Sequence, residues 1–321
     1  MAVMQEIVGG GGRQTWFRRL ADRERFLATL FLAPAVIYIV ALVAVPFFVA
    51  IAFSLSEATI GDTSLRYIGL ENFAYITDNV IMPQFWRSLL DTFVFSVVAQ
   101  ILIIILANIL ALILATEFRG KWLARILIIL PWATPISLGT IGWLWLLDSK
   151  HSPIDWVLVR LGLLGPGTLF GPGNHMVFLG SEGLAIASVI MVYVWRMLPL
   201  SAVILLAGLT SIDRDILDQA EVDGASFLRI HFQVRLPLVW PIMSIALLFG
   251  LILGFGDMVI VFVLTRGGPV YYTHVLATWA YFVGIQGGAL GQGAAIALFL
   301  FPVLLAVAIL VLRNARRLEV T

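Results

Sequence analysis

Six stretches of this chain are apolar for about twenty residues or more. They are Leu27–Phe53, Leu89–Ala115, Leu123–Leu147, Leu184–Leu209, Pro241–Leu264 and Gly293–Leu312. A hydrocarbon core about 30 Å thick is crossed by about 20 helical residues. The backbone finds no water there, so a single apolar segment must satisfy its own hydrogen bonds as a helix. The chain is therefore predicted to be an all-α polytopic membrane protein with six transmembrane helices. An eleven-residue run, Val275–Ile285, is too short to span and reads as a helix lying at the outer surface or as a re-entrant piece. Composition agrees: 61% of residues are hydrophobic and 12% charged, against about a quarter charged in a soluble domain. A net charge of +1 gives no electrostatic footing for a nucleic-acid partner. The absence of Cys excludes disulfides, thiolate metal sites and cysteine catalysis. The first apolar run is too long for a cleavable signal, and Gly9–Gly12 reads as part of a flexible tail.

Lys and Arg near span ends set orientation. With the N-terminus inside, the inner segments carry fourteen: Arg13, Arg18, Arg19, Arg23 and Arg25, then Arg119, Lys121 and Arg125, then Arg214, Arg229 and Arg235, then Arg313, Arg316 and Arg317. The outer loops carry five: Arg66, Arg87, Lys150, Arg160 and Arg266. Both termini are expected in the cytoplasm. The expected organisation is a cytoplasmic tail over residues 1–25, a first helix and outer loop over 26–87, a five-helix core over 88–313 and a second cytoplasmic tail over 314–321. The outer stretch "LGPGTLFGPGN" (Leu164–Asn174) is Gly/Pro-rich and predicted irregular. No internal repeat is visible, which weighs against carriers built from two similar halves.

One segment breaks the apolar pattern. Between spans four and five, on the predicted cytoplasmic side, stand Asp213, Asp215, Asp218, Glu221 and Asp223, with Arg214, Arg229, His231 and Arg235. Asp213 can cap a short helix whose apolar face is Ile212, Ile216, Leu217 and Ala220. Gly224 can stop it in the left-handed conformation. Ser226 can cap a second short helix, with Phe227, Ile230 and Val234 on one side, which Pro237 ends. A solvated loop with an amphipathic surface helix fits the same residues.

The stretch "DQAEVDGAS" followed by "VRLP" resembles the Glu-Ala-Ala, three residues, Gly, Ile-x-Leu-Pro pattern of permease subunits of binding-protein-dependent ABC importers. "YVWRMLPLSAVILLAGL" (Tyr193–Leu209), "LTRGGPVYYTHVLATWAY" (Leu264–Tyr281), "GLENFAYI" and "FWRSLLDTFVFSV" resemble the carbohydrate-importer branch, on the side of the maltose-type larger permease. The pattern departs at Asp218, where the family has Glu, and at Gln219, where it has Ala. The resemblance implies a type I importer permease fold with a coupling-helix loop over 210–237. It implies that Asp218, Ala220, Glu221, Asp223, Gly224, Ala225, Leu236 and Pro237 dock on an ATPase subunit. It implies as partners a second permease, two ATPase subunits, an external solute-binding protein, a disaccharide or oligosaccharide substrate and the membrane lipid. ATP and Mg are then bound by the ATPase subunits and no cofactor by this chain. Consistently, no Gly-x-x-x-x-Gly-Lys-Ser/Thr phosphate loop occurs.

Charges inside a span cost about 2.5–3.5 kcal/mol on insertion scales and call for an account. Asp91, at the outer end of span two, is expected to reach the headgroups. Arg196 in span four and Asp257 in span five read either as a buried ion pair or as substrate contacts. Trp132, Tyr193 and Trp195 are candidates for stacking on sugar rings; Trp143 and Trp145 read as interface anchors. Gln100, Asn108, Thr134 and Ser137 could pair with hydroxyls or only join helices. Pro131 and Pro135 can break span three. Two competing functions are an autonomous secondary carrier or channel, and an intramembrane aspartyl protease suggested by "GFGD" (Gly254–Asp257), which would need Asp91 as its second carboxylate.

Overall fold

The computed structural model describes residues 24–78 and 82–319. Gly9–Gly12 and nearly all of the expected N-terminal tail lie outside them. The chain divides after Ala52 into two compact units. In the first, α1 (Glu24–Ile39) passes through a π turn (Val40–Ala44) into α2 (Val45–Ser54), which reaches two residues into the second unit. Its side chains are apolar and exposed, Phe31, Ile37 and Tyr38 among them. The π turn has a local cause. Pro46 has no N–H and its ring crowds the carbonyl four residues back. Widening the preceding turn, with Val45 N–H bonded to Val40 O, lets the helix continue.

The second unit opens on a hairpin, β1 (Ser56–Thr59) antiparallel to β2 (Asp62–Tyr67). Asn72 in α3 (Glu71–Thr77) holds it, donating to Ser54 O at 3.0 Å and Ser56 O at 2.9 Å. Next come α4 (Gln84–Ala115), α5 (Lys121–Ala133), α6 (Ile136–Leu146), α7 (Pro153–Arg160) and α8 (Glu182–Thr210). The charged segment forms α9 (Arg214–Val222) and α10 (Phe227–Ile230). A π turn (His231–Arg235) leads into α11 (Leu236–Phe255), and α12 (Val259–Leu264) follows. The chain ends with α13 (Leu276–Tyr281), a π turn (Phe282–Gln286), α14 (Leu290–Leu298) and α15 (Leu300–Glu319). The helix thus runs into the stretch expected as a C-terminal tail.

The bundle centre is α4 against α8, with α11 packed on both and α15 on α11. Small residues let the backbones approach: Ala107 and Ala111 of α4, with Ala202 of α8, pack beside Leu205, Val239 and Met243. Lipid provides no hydrophobic force between helices, so this contact is dispersion between closely fitted surfaces.

Five of the six expected spans each contain one helix long and apolar enough to cross a membrane, and the third is a pair, α5 and α6, bent by 95°. The break falls at Pro135, whose ψ of 128° is extended; Pro131 stays inside α5. Pro237 was expected to end a short second helix and does not. The helix runs on from Phe227 to Phe255, because the π turn before Pro237 moves Leu236 N–H onto His231 O, the device used before Pro46. The expected single span Pro241–Leu264 is interrupted instead at Gly256–Met258. The short run read as surface-lying or re-entrant forms α13 and the π turn, folded as a buried hairpin against α14: Leu276 and Thr278 are fully enclosed, and Leu276 N–H donates to Thr92 Oγ1 of α4 at 2.8 Å.

That hairpin depends on glycines. A Cβ on Gly293 of α14 would lie 2.8 Å from Ala280 O and 2.9 Å from Gly284 N, and would also strike Gly284 Cα, all backbone. Gly183, in the first turn of α8, has open space around it. Gly293→Ala is expected to cost about 1–3 kcal/mol through overpacking. Gly183→Ala is expected to stay within about 1 kcal/mol of the parent, on the stabilising side. Thermal unfolding of the purified assembly reads both; equal midpoints for the two variants would contradict this packing.

Candidate functional site

Two sites follow from the sequence expectations, and the structure treats them differently. The first is the charged segment. Asp213 caps α9, its Oδ1 accepting Asp215 N–H at 3.1 Å. An acidic first turn suits the positive end of the helix dipole. The helix stops in a Schellman arrangement: Gly224 takes φ +77°, its N–H bonds Glu221 O at 2.9 Å, and Ala225 N–H bonds Ala220 O at 3.0 Å. Ser226 Oγ then accepts Arg229 N–H at 3.4 Å and starts α10.

The result is a rigid exposed corner. Asp218, Glu221 and Asp223 are exposed. No ion pair among the described residues engages them. Val222 is 87% exposed, and Phe227 and Leu228 follow at 60% and 64%. Free carboxylates beside open apolar side chains describe a docking surface better than a solvated loop. Leu236 and Pro237 sit apart from this tip, inside the long helix that ends as α11. The sequence reading placed Phe227 on one side with Ile230 and Val234; only Ile230 is buried. Phe227 and Leu228 belong to the exposed corner, and their neighbourhood to Gly224 was the available signal.

The second site lies where spans three and five are broken. Tyr193 is 1% exposed, donates its hydroxyl to Gly250 O at 3.1 Å and packs edge-on to Phe95. It joins α8 to α11, and its ring offers no free face for a sugar. Arg196 and Asp257 do not form the expected ion pair. The Arg196 guanidinium lies over the Trp132 ring at 5.6 Å, a cation–π contact. The Asp257 carboxylate accepts Ile260 N–H at 3.0 Å, satisfying an amide that the restart of the span would otherwise leave bare. Arg196, Asp257 and Tyr193 still lie within electrostatic reach of one another. Trp195 meets Trp143 edge to face at 5.6 Å, so Trp143 packs inside rather than anchoring at an interface; Trp145 is 65% exposed.

Asp91 is buried rather than reaching headgroups. Its two oxygens share the Arg87 Nε–H, at 3.0 and 3.1 Å, and Arg87 in turn lies 4.3 Å over the Tyr272 ring. A carboxylate so engaged is not the free second member of a protease dyad.

With this geometry in hand, residues 103–320 match the family described as binding-protein-dependent transport system inner membrane component. The sulfoquinovosyl glycerol transport system permease protein of Agrobacterium fabrum is 29% identical over 304 residues, covering 94% of each chain. The trehalose/maltose transport system permease protein of Thermococcus litoralis is 28% identical over 298 residues, covering 93% of this chain and 96% of that one. Among solved structures, a chain of a bacterial ABC transporter involved in import of the acidic polysaccharide alginate superposes with a TM-score of 0.75 at 19% identity, over 95% of this chain and 99% of that one.

The separation of Arg196 from Asp257 has a thermodynamic consequence. Groups held by different partners couple weakly, so a double-mutant cycle on Arg196→Ala and Asp257→Asn is expected to give an interaction energy below about 1 kcal/mol. Arg196→Ala and Trp132→Ala are expected to be non-additive, since they share one contact. A coupling of several kcal/mol between Arg196 and Asp257 would mean that the two are paired.

Proposed function

This chain belongs to the family of binding-protein-dependent transport system inner membrane components, and we propose that it forms half of the pathway of an ATP-driven carbohydrate importer. It is a multi-pass membrane permease and not an ATPase. A second permease completes the pathway, an external solute-binding protein delivers substrate, and two separate ATPase subunits bind ATP and Mg. The substrate is a disaccharide or oligosaccharide; the reading is supported by relatives of nearly full coverage named for a sulfoquinovosyl glycerol and for trehalose and maltose.

The observation that carries the reading is the corner at Gly224. A helix capped at both ends is a stiff element that moves as a body, so a displacement at its tip is passed on toward α8 and α11. Asp218, Glu221 and Asp223 offer charge to a basic cleft, and Ala220, Val222 and Ala225 offer apolar surface. Asp218 has a shorter reach than the family's Glu and takes the same sign of partner. Trp132 and Asp257 at the broken spans, with Arg196 and Trp195 of α8, are the proposed pathway residues. Both termini and the α9 corner face the cytoplasm, supported by the excess of Lys and Arg at that end.

Two experiments test this. A Cβ on Gly224 meets nothing within 4 Å in this chain, so a substitution acts only through backbone strain or through a bound partner. Asn tolerates the left-handed conformation and Val does not. Gly224→Val is expected to leave the spans inserted while abolishing ATPase docking and lowering substrate-stimulated ATP hydrolysis and uptake together. Gly224→Asn is expected to keep most of both unless the cleft wall touches this residue. Normal coupling in Gly224→Val would return the segment to a solvated loop. For orientation, a single cysteine at Gly173 should react with an impermeant reagent outside intact cells and one at Asp223 should not. The opposite labelling would reverse the topology.

A further inference from the structure

Four cations from separate stretches of chain converge on one cleft of about 800 Å³ at the end of the bundle that carries α9. Lys121 and Arg125 come from the first turns of α5, Arg214 from the first residue of α9, and Arg235 from the root of α11. Among the described residues lining the cleft, Glu117 is the one carboxylate. It pairs with Lys121 at 2.8 Å. Its carboxyl is held below the usual range first by that Lys121 hydrogen bond, with the charges of Arg125 and Arg214 also acting on it. So at least three of the cations share one local field. Arg125 bonds a backbone carbonyl, Leu114 O at 3.4 Å, and the Arg235 guanidinium lies 5.7 Å over the Phe227 ring. Among the described residues, no carboxylate lies within ion-pair distance of Arg125, Arg214 or Arg235.

Such a cluster repels itself unless an anion enters. The remaining lining says which kind. Leu112 and Ile113, from the last turns of α4, and Phe227 form apolar wall beside the cations. Ile113 is 52% exposed and Phe227 60%. A free phosphate would use the cations and leave that wall idle; a molecule with a phosphate and attached hydrocarbon uses both. The cleft also lies where α4 and α8 end and α5 begins, and the ends of spans are where headgroups sit. Basic pockets between spans at such ends take anionic headgroups.

We propose that this cleft is a binding site for an anionic phospholipid, its phosphodiester held by Lys121, Arg125, Arg214 and Arg235 and its acyl chains lying along Leu112 and Ile113. The bound lipid would tie the α4–α5 turn to the first residue of α9 and the root of α11. The lipid is thus a structural strut under the corner, and its binding does not depend on what the corner docks to.

The test uses the complete assembly in nanodiscs of phosphatidylglycerol and phosphatidylcholine, followed by native mass spectrometry of retained lipid. Phosphatidylglycerol should be retained over phosphatidylcholine. Each basic residue near an anionic headgroup is worth about 1 kcal/mol. The charge-removing pair Lys121→Gln with Arg125→Gln should therefore lower phosphatidylglycerol retention about tenfold or more, leaving phosphatidylcholine unchanged. The charge-keeping pair Lys121→Arg with Arg125→Lys should retain it. Equal retention of the two lipids overturns the proposal, and so does unchanged phosphatidylglycerol in the charge-removing pair. Loss in both pairs would mean that packing rather than charge holds the lipid. Displacement by millimolar inorganic phosphate would make the cleft a free-anion site. Loss of the ATPase subunits with lipid retention unchanged would assign the cations to a protein partner.

Discussion

The bends and breaks of the spans follow from one constraint. A backbone N–H or C=O inside hydrocarbon has no water to bond, so any departure from the helix must bring its own partner. The molecule departs in three ways and solves each differently. Before Pro46 and Pro237 the turn widens to a π turn, which re-routes the hydrogen bond and keeps the helix whole. At Pro135 the span turns by 95°, and Thr134 folds its N–H and hydroxyl back onto Leu130 O. At Gly256–Met258 the helix stops, and the Asp257 carboxylate takes up the Ile260 amide.

The same constraint ranks the polar residues. Where a polar side chain has a backbone group to serve, it joins elements: Tyr193 to Gly250, Thr92 to Leu276, Asn72 to Ser54 and Ser56. These contacts hold helices whose apolar surfaces gain nothing from leaving lipid. What is left over is chemically informative. Trp132, under the Arg196 guanidinium, and Asp257, on the Ile260 amide, stand at the two broken spans, where irregular backbone is tolerated because it borders a cavity or protein.

At the other end of the bundle the physics is aqueous. α9 is short, so its stability rests on caps rather than length. Asp213, Gly224 and Ser226 supply them within fourteen residues, and no tertiary contact is needed to make the corner. That independence supports the proposed role of the corner as a link to a separate subunit. The cation cleft beneath it is the converse case. Lys121, Arg125, Arg214 and Arg235 are unremarkable span-end charges in sequence, and become a site only when α4, α5, α8 and α11 meet.

The boundary between legible and illegible follows from range. Features set by neighbours within four or five residues could be read directly: the spans, the caps at Asp213 and Ser226, the stop at Gly224, the weak point at Pro135. Features set by which helix faces meet could not. The spans are apolar all round, so a lipid-facing residue and a protein-facing one look alike in the pattern. Hence Asp91 reads as a headgroup contact although the fold buries it against Arg87, and Arg196 reads as a partner of Asp257 or of substrate although its guanidinium lies over Trp132. Pro237 misled for the intermediate reason that a π turn is decided by whether the helix beyond it is held, here by Val239 and Met243 packed against Ala202 and Leu205. The sequence determined how many segments enter the membrane and where the rigid corner lies, because both are paid for locally. The tertiary structure alone decided who partners whom, because in hydrocarbon that choice rests on shape and on single polar contacts between distant parts of the chain.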